Sequence, residues 1–236
     1  MSNQASDLAH LPCRQFKDGA WRTFQDDAAH EIPVSLAVEG GQDKQLWAFP
    51  DGLADLALGH ALLDLGREGM IPSVEQAGEH AFRIRFSPGS VPPATPWPSP
   101  LTPEDILTGA ARFMEIGGRW DATGCFHRAA LYDPSLKAFV HHVEDIGRHN
   151  CLDRLAGWAL GRKRPLGGQV LFVTARATAS LVTKAARSGY AVMISRSAVT
   201  TAGVELARKA GMSLAGFSRE NRFSIFTDKH GRIAQS

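Results

Sequence analysis

A chain of 236 residues can bury a sizeable core, and 44% hydrophobic with 21% charged residues is the composition of a globular protein. A formal charge of +2 without a long basic run gives no field for nucleic acid, so DNA and RNA binding are disfavoured. No apolar stretch reaches the roughly 20 residues of a membrane helix, and Met1 to His30 is polar without a signal-peptide core, so no membrane partner and a cytoplasmic location are expected.

In chain order, residues 1–30 show no sustained period and are expected to be a loose N-terminal arm. A small α+β part follows over 31–87: Ile32 to Val38 alternates like a half-buried strand, Leu53 to Leu65 has helical spacing, and Ala81 to Phe86 alternates again. Seven prolines from Pro88 to Pro103 exclude a ladder or a helix interior, so 88–102 reads as a linker or a rim of extended chain.

From 103 to 236 the pattern is regular. A helix is predicted from Pro103 to about Ile116, with Thr102 as N-cap and proline in the first turn. Strands are predicted at Phe126 to Tyr132, Ala138 to Val143, Gln169 to Thr174, Ala191 to Ser195, Ser213 to Gly216 and Arg222 to Thr227. Helices are predicted over 147–160, Thr178 to Arg187 and Thr200 to Ala210. Such alternation implies an α/β domain with a mixed, partly parallel sheet.

The chemistry-bearing residues cluster. Between Thr123 and Asn150 lie four of the nine histidines: His127, His141, His142 and His149. Three junctions repeat one design, in which an apolar strand ends, a polar segment with arginine follows, and a helix begins. They are Glu144, Asp145, Gly147, Arg148, His149; then Thr174, Arg176, Thr178, Ser180; then Ser195, Arg196, Ser197, Thr200, Thr201. Helix N-termini with hydroxyls and guanidinium groups attract phosphate, and in a parallel sheet such strand ends share one edge. Together they point to a large phosphorylated ligand. The plainer reading is that Thr178, Thr200 and Asp145 only cap helices.

His142 and Glu144 match the H-x-E that opens the zinc signature of nucleobase deaminases, but the P-C-x-x-C that completes it is absent, so no zinc is expected. Three cysteines, Cys13, Cys125 and Cys151, cannot form a disulfide framework. Cys125, two residues before His127, is nucleophilic only if the fold brings cationic groups to it; otherwise it is an inert small residue.

The segments TGCFHRAALYD, VEDIGRHNCLDRLAGW, SLVTKAARSGYAVMISRSAVTTAGVELA and LAGFSRENRFSIFT, in this order over about Leu107 to Thr227, resemble the formate dehydrogenase accessory sulfurtransferase (FdhD) family. EIPVSLAVEG and REGMI extend the likeness weakly upstream. The resemblance implies a cytidine-deaminase-like three-layer sandwich without the deaminase zinc, and a homodimer. It also implies a role in maturing molybdenum- or tungsten-dependent formate dehydrogenase, in which sulfur from a cysteine desulfurase passes to bound bis-molybdopterin guanine dinucleotide for the apoenzyme. GDP represents half of that ligand.

On this reading Thr123, Gly124, His127, Glu144, Asp145, Gly147, Arg148, His149, Asn150, Arg176, Thr178, Ser195, Arg196, Ser197 and Thr200 are the expected cofactor contacts, with Cys125 and His127 as the catalytic candidates. Two departures stand out. The family's C-G-x-C-G loop is replaced by SPGSVPPATPWPSPLTP, which has no cysteine, and the S-G-R-x-S-x-E segment reads TARATAS, with Ser180 at the glutamate position. Either Cys125 relays sulfur, or the chain keeps cofactor binding and has lost the relay.

Overall fold

The computed structural model describes residues 8–235. Strands β1 (Leu8–Lys17) and β2 (Ala20–Ala29) pair rung for rung across a turn at Asp18 and Gly19, whose φ angles of 54° and 80° suit a two-residue hairpin loop. Residues 8–29, expected to be loose, are therefore a regular ribbon; residues 1–7 of the expected arm lie outside the described residues. Both faces of the ribbon meet solvent, so neither shows the apolar alternation of a half-buried strand.

Next come β3 (Ile32–Val38), β4 (Lys44–Ala48), α1 (Leu53–Leu63), β5 (Met70–Gly78) and β6 (Ala81–Pro88). Their strands form a sheet in the order β4-β3-β6-β5. Val34, Leu36, Phe82 and Ile84 pack on Leu56, Ala57 and Ala61 of α1. The edge strands β4 and β5 were not anticipated, because KQLWA and MIPSVEQAG bury little and one contains proline.

The remainder contains α2 (Pro103–Glu115), α3 (Arg119–Thr123), β7 (His127–Asp133), β8 (Ala138–Asp145), α4 (Arg148–Gly161), β9 (Val170–Val173), α5 (Ala179–Arg187), β10 (Val192–Ser195), α6 (Thr201–Lys209), β11 (Ser213–Arg219) and β12 (Arg222–Thr227). Six strands order as β12-β11-β10-β9-β7-β8, parallel from β9 through β11 and antiparallel elsewhere. Alternate residues face opposite layers. Leu131, Leu171, Val173, Met193 and Leu214 pack with Leu152, Leu155, Leu181 and Val182 of α4 and α5. Tyr132, Phe172 and Ile194 pack with Ile106 and Phe113 of α2. This is the mixed three-layer sandwich that was expected. Thr102 caps α2 reciprocally with Asp105, at 3.1 and 3.0 Å.

The proline-rich segment is no free linker. The Thr95 N–H donates to the Gly167 carbonyl at 3.0 Å, and the Leu101 N–H to the Arg232 carbonyl at 2.8 Å. A Cβ on Gly167 or Gly168 would fall 2.3 Å from Ala94 Cβ or 2.2 Å from the Thr95 carbonyl oxygen, so glycine is required for this approach. Trp97 packs against the α2 side of the core. Gly167 and Gly168 precede β9, so the strap crosses the N-terminal ends of the parallel strands.

Helices α1 and α4 meet backbone to backbone. A Cβ on Gly59 would lie 1.7 Å from the Asp153 carbonyl oxygen, and one on Gly157 1.8 Å from that of Asp55. Beside this crossing, Lys184 Nζ sits 2.7 Å from Asp64 and 2.7 and 2.8 Å from the two Asp153 oxygens, with His60 Nδ1 3.1 Å from Asp64. Burial opposes a charged His60, but the hydrogen bonds and charges of Asp153 and Asp64 outweigh it and hold its pKa at about 9. A raised histidine pKa contributes stability that is complete below the unfolded value of 6.5 and is lost as pH rises through about 9. The urea midpoint of the wild type is therefore expected to fall across that window, and that of His60→Gln to stay nearly flat.

Candidate functional site

The C-terminal ends of β8, β9 and β10 open on one edge of the sheet, where α4, α5 and α6 begin; β7 runs the other way and starts there at His127. Main-chain bonds stitch the second and third turns together. The Arg196 N–H donates to the Val173 carbonyl at 2.9 Å, the Ala177 N–H to Ala198 at 2.9 Å and the Thr200 N–H to Ala177 at 3.2 Å. The first junction joins the second through His149 Nε2, 3.0 Å from the Ser180 hydroxyl, so the three arginine-bearing junctions are neighbours.

Their guanidinium groups lack counter-charges. Arg148, Arg176 and Arg196 have no carboxylate partner among the described residues; Arg128 and Arg154, by contrast, are buried against Glu144 at 2.7 Å and Asp145 at 2.6 Å. Arg148 is half-buried, and its Nε is buried with no hydrogen-bond partner. Arg196 lies over the Trp120 ring, 5.9 Å from its centroid, and Arg176 is exposed. A buried, unsatisfied donor is costly, and an anion would satisfy it.

The histidines complete a positive shelf without adding charge. Burial, then the charges of Arg148 and Arg176, push His127 below the usual imidazole pKa, so the ring is neutral at neutral pH. Burial and then Arg148 do the same for His149, whose Nε2 lies 3.0 Å from the Ser180 hydroxyl. On that flank the shelf opens into a cavity of about 380 Å³ lined by His149, Ser180, Lys184 and Arg187 together with Asp64 and Asp153.

Several expected contacts are committed to the scaffold instead. Glu144 binds Arg128 through two nitrogens, at 3.0 and 2.7 Å, and accepts the Arg119 and Trp120 N–H groups at the start of α3, at 2.6 and 3.3 Å. Asp145, fully buried, accepts the Gly147 N–H and the Asn150 amide, both at 2.8 Å, besides Arg154. Ser195 is buried and bonds the Ala175 carbonyl at 2.8 Å, and Thr200 caps α6 through the Gly203 N–H at 3.1 Å. Thr178 makes no cap bond; its hydroxyl lies 3.4 Å from that of Ser180. The Ser197 hydroxyl is half-buried, and Ser197 takes part in the edge through its N–H, 3.0 Å from Ser195 Oγ. Thr123 accepts the Cys125 N–H at 3.1 Å, and Gly124, at φ 65°, ends α3 in the left-handed conformation that glycine favours.

Trp120 and Arg128 were not anticipated here. A five-residue helix after two glycines has no readable period, and Arg128 sits inside an apolar strand. Among the cysteines, Cys125 is exposed at the edge, whereas Cys151 is buried and burial pushes its thiol pKa far up. Among the described residues the one cluster of three metal-ligating groups is His60, Asp64 and Asp153, and the Lys184 ammonium and the protonated His60 together balance its two carboxylates.

The description of the FdhD/NarQ family matches residues 84–234, well over half of the chain. The chain belongs to that family. It is 35% identical over 127 residues to a sulfur carrier protein FdhD of Staphylococcus haemolyticus, covering 54% of this chain and 47% of the relative. The Staphylococcus aureus (strain MRSA252) protein of the same description is 38% identical over the same share. The chain thus spans about half the length of the curated relatives it matches. A crystal structure of a protein described as a formate dehydrogenase accessory protein from Desulfotalea psychrophila superposes with a TM-score of 0.80, covering 96% of this chain and 99% of that one at 20% identity, which shows the shared fold. No helix among the described residues is long and apolar enough to cross a membrane.

The shelf depends on Asp145, which holds the start of α4 and hence Arg148. Asp145→Asn leaves the Arg154 charge buried without its partner, and denaturant unfolding is expected to show a loss of about 3 to 5 kcal/mol. Adding Arg154→Met should recover part of it, because the stranded charge is then gone.

Proposed function

We propose that this chain holds bis-molybdopterin guanine dinucleotide, loaded with molybdenum or tungsten, on the guanidinium shelf and serves the maturation of a formate dehydrogenase. The observation that carries this is the convergence of Arg148, Arg176 and Arg196 without counter-charges, with the Arg148 Nε buried and unpartnered. A ligand with two pyrophosphates supplies anions to three junctions at once, and a single small anion does not. Family membership and the accessory-protein fold support formate dehydrogenase as the client. Fluorescence or calorimetric titration with GDP, the half-ligand, is expected to give saturable binding that Arg148→Ala and Arg196→Ala each weaken by roughly ten- to a hundred-fold, the worth of one charge-assisted phosphate contact. Unchanged affinity in both variants would falsify the shelf as the binding site.

A second reading keeps sulfur transfer and runs through Cys125, the one cysteine exposed at this edge. In it the Cys125 thiolate attacks the outer sulfur of a desulfurase persulfide, the S–S bond breaks, the desulfurase thiolate leaves, and the new persulfide faces the bound cofactor. Incubation with a cysteine desulfurase and cysteine followed by peptide mass spectrometry is then expected to find one added sulfur on Cys125. An unmodified Cys125, with Cys125→Ala still supporting maturation, rules out the relay and leaves the holder.

A further inference from the structure

Another cavity, of about 250 Å³, lies between the strap and the turns that lead into β9, β10 and β11, at the edge opposite the shelf. Thr95 and Trp97 of the strap line it, with Gly168, Tyr190 and Met212 from those turns and Arg232 from the C-terminal segment. Three donors on these walls lack a counter-group. Tyr190 is only 3% exposed and its hydroxyl has no hydrogen-bond partner; burial pushes the phenol pKa far up, so it keeps its proton and donates. The Trp97 Nε1 is likewise buried and unpartnered. Half-buried Arg232 holds the Ala191 and Gly211 carbonyls through Nη1, at 3.3 and 2.6 Å, but pairs with no carboxylate among the described residues. Asp228, whose charge it feels, accepts instead from the Ser213 hydroxyl and from the Arg232 and Ile233 N–H groups.

Buried donors without acceptors cost free energy, and two of them in one cavity beside an unpaired cation call for an acceptor that carries negative charge. One effect opposes this. Helices α5 and α6 end at the same edge, and the negative end of a helix dipole repels an anion. That field is blunted here. The Gly189 and Tyr190 N–H groups bond the last carbonyls of α5, those of Gly211 and Met212 bond the last carbonyls of α6, and the final turns carry Arg187, Arg208 and Lys209. Size and charge then narrow the ligand. The cavity is smaller than the roughly 300 Å³ at which drug-sized sites begin. Its remaining walls are mainly alanine and glycine, which suit a short carbon chain, and its one guanidinium balances one negative charge rather than the two of a phosphate.

We propose that the cavity under the strap binds a small organic monocarboxylate, its carboxylate held by Arg232, the Tyr190 hydroxyl and the Trp97 indole N–H. Trp97 belongs to the strap that stands where the resemblance places the cysteine loop, so the pocket is a product of that replacement. The site is independent of the shelf and of whatever the shelf holds.

Nuclear magnetic resonance of the tryptophan indole N–H groups in the full chain tests it, with the Trp97 signal assigned by its loss in Trp97→Phe. Titration with acetate, butyrate and benzoate is expected to move that signal saturably for at least one of the three acids. Butylamine and inorganic phosphate should leave it in place. Tyr190→Phe is expected to weaken the acid by about tenfold or more, the worth of one hydrogen bond to a charged group. The same variant removes a buried, unpartnered hydroxyl, so the melting temperature of its ligand-free form should be unchanged or higher, and weaker binding is then not a failure to fold. No shift with any of the acids, an equal shift with butylamine or phosphate, wild-type affinity in Tyr190→Phe, or a lower melting temperature of its ligand-free form would each overturn the proposal.

Discussion

Asp145 is the group on which the rest of the structure hangs. It is fully buried at the end of β8, where it accepts from the Gly147 N–H, the Asn150 amide and the Arg154 guanidinium. A buried carboxylate is tolerable only when its oxygens are satisfied, and here two of the three donors do a second job. Asn150 also donates to the Trp47 carbonyl, and Arg154 donates to the carbonyls of Phe49 and Asp51. One charge therefore fixes the start of α4, aims the first turn that carries Arg148, and clamps the chain after β4 onto the sandwich. The α1–α4 glycine contact then follows as geometry, since it needs those elements already close.

The same logic separates two kinds of arginine. Arg128 and Arg154 are deeply buried, each against a carboxylate, and their charges are internally balanced. Arg148, Arg176 and Arg196 stand at the ends of parallel strands without such partners, and neighbouring histidines respond by losing their protons rather than adding charge. A fold that neutralises its buried charges this carefully leaves the three at the edge available to an outside anion.

Much of this was legible in the sequence. The β9 and β10 segments are short apolar runs followed by helical periods, so the parallel layer and its shared edge could be read directly. The ribbon was not legible, because a strand wet on both faces has no apolar period, and β4 and β5 are edges with little burial. At the site, residue types predicted the neighbourhood but not the division of labour. Glu144, Asp145, Asn150 and Ser195 have the composition of ligand contacts, yet their partners lie up to 103 residues away in the chain, where spacing carries no signal.

The strap sharpens what the missing cysteine loop means. The connection from β6 to α2, where the resemblance places that loop, lies across the N-terminal ends of β9 and its neighbours, while the guanidinium shelf lies at their C-terminal ends. Four strand residues, at about 3.3 Å each, put roughly 13 Å of packed sheet between the two. Shortening the loop to a proline-rich strap, held by Gly167 and Gly168, therefore leaves the arginines, their turns and the Asp145 clamp untouched. Prolines at these positions also cut the freedom of the strap in the unfolded chain, so the replacement favours a fixed seal over a mobile arm. The replaced loop and the guanidinium shelf sit at opposite edges of one sheet, so a change in the strap leaves the arginine geometry as it is, whereas Cys125 stands on the shelf's own edge.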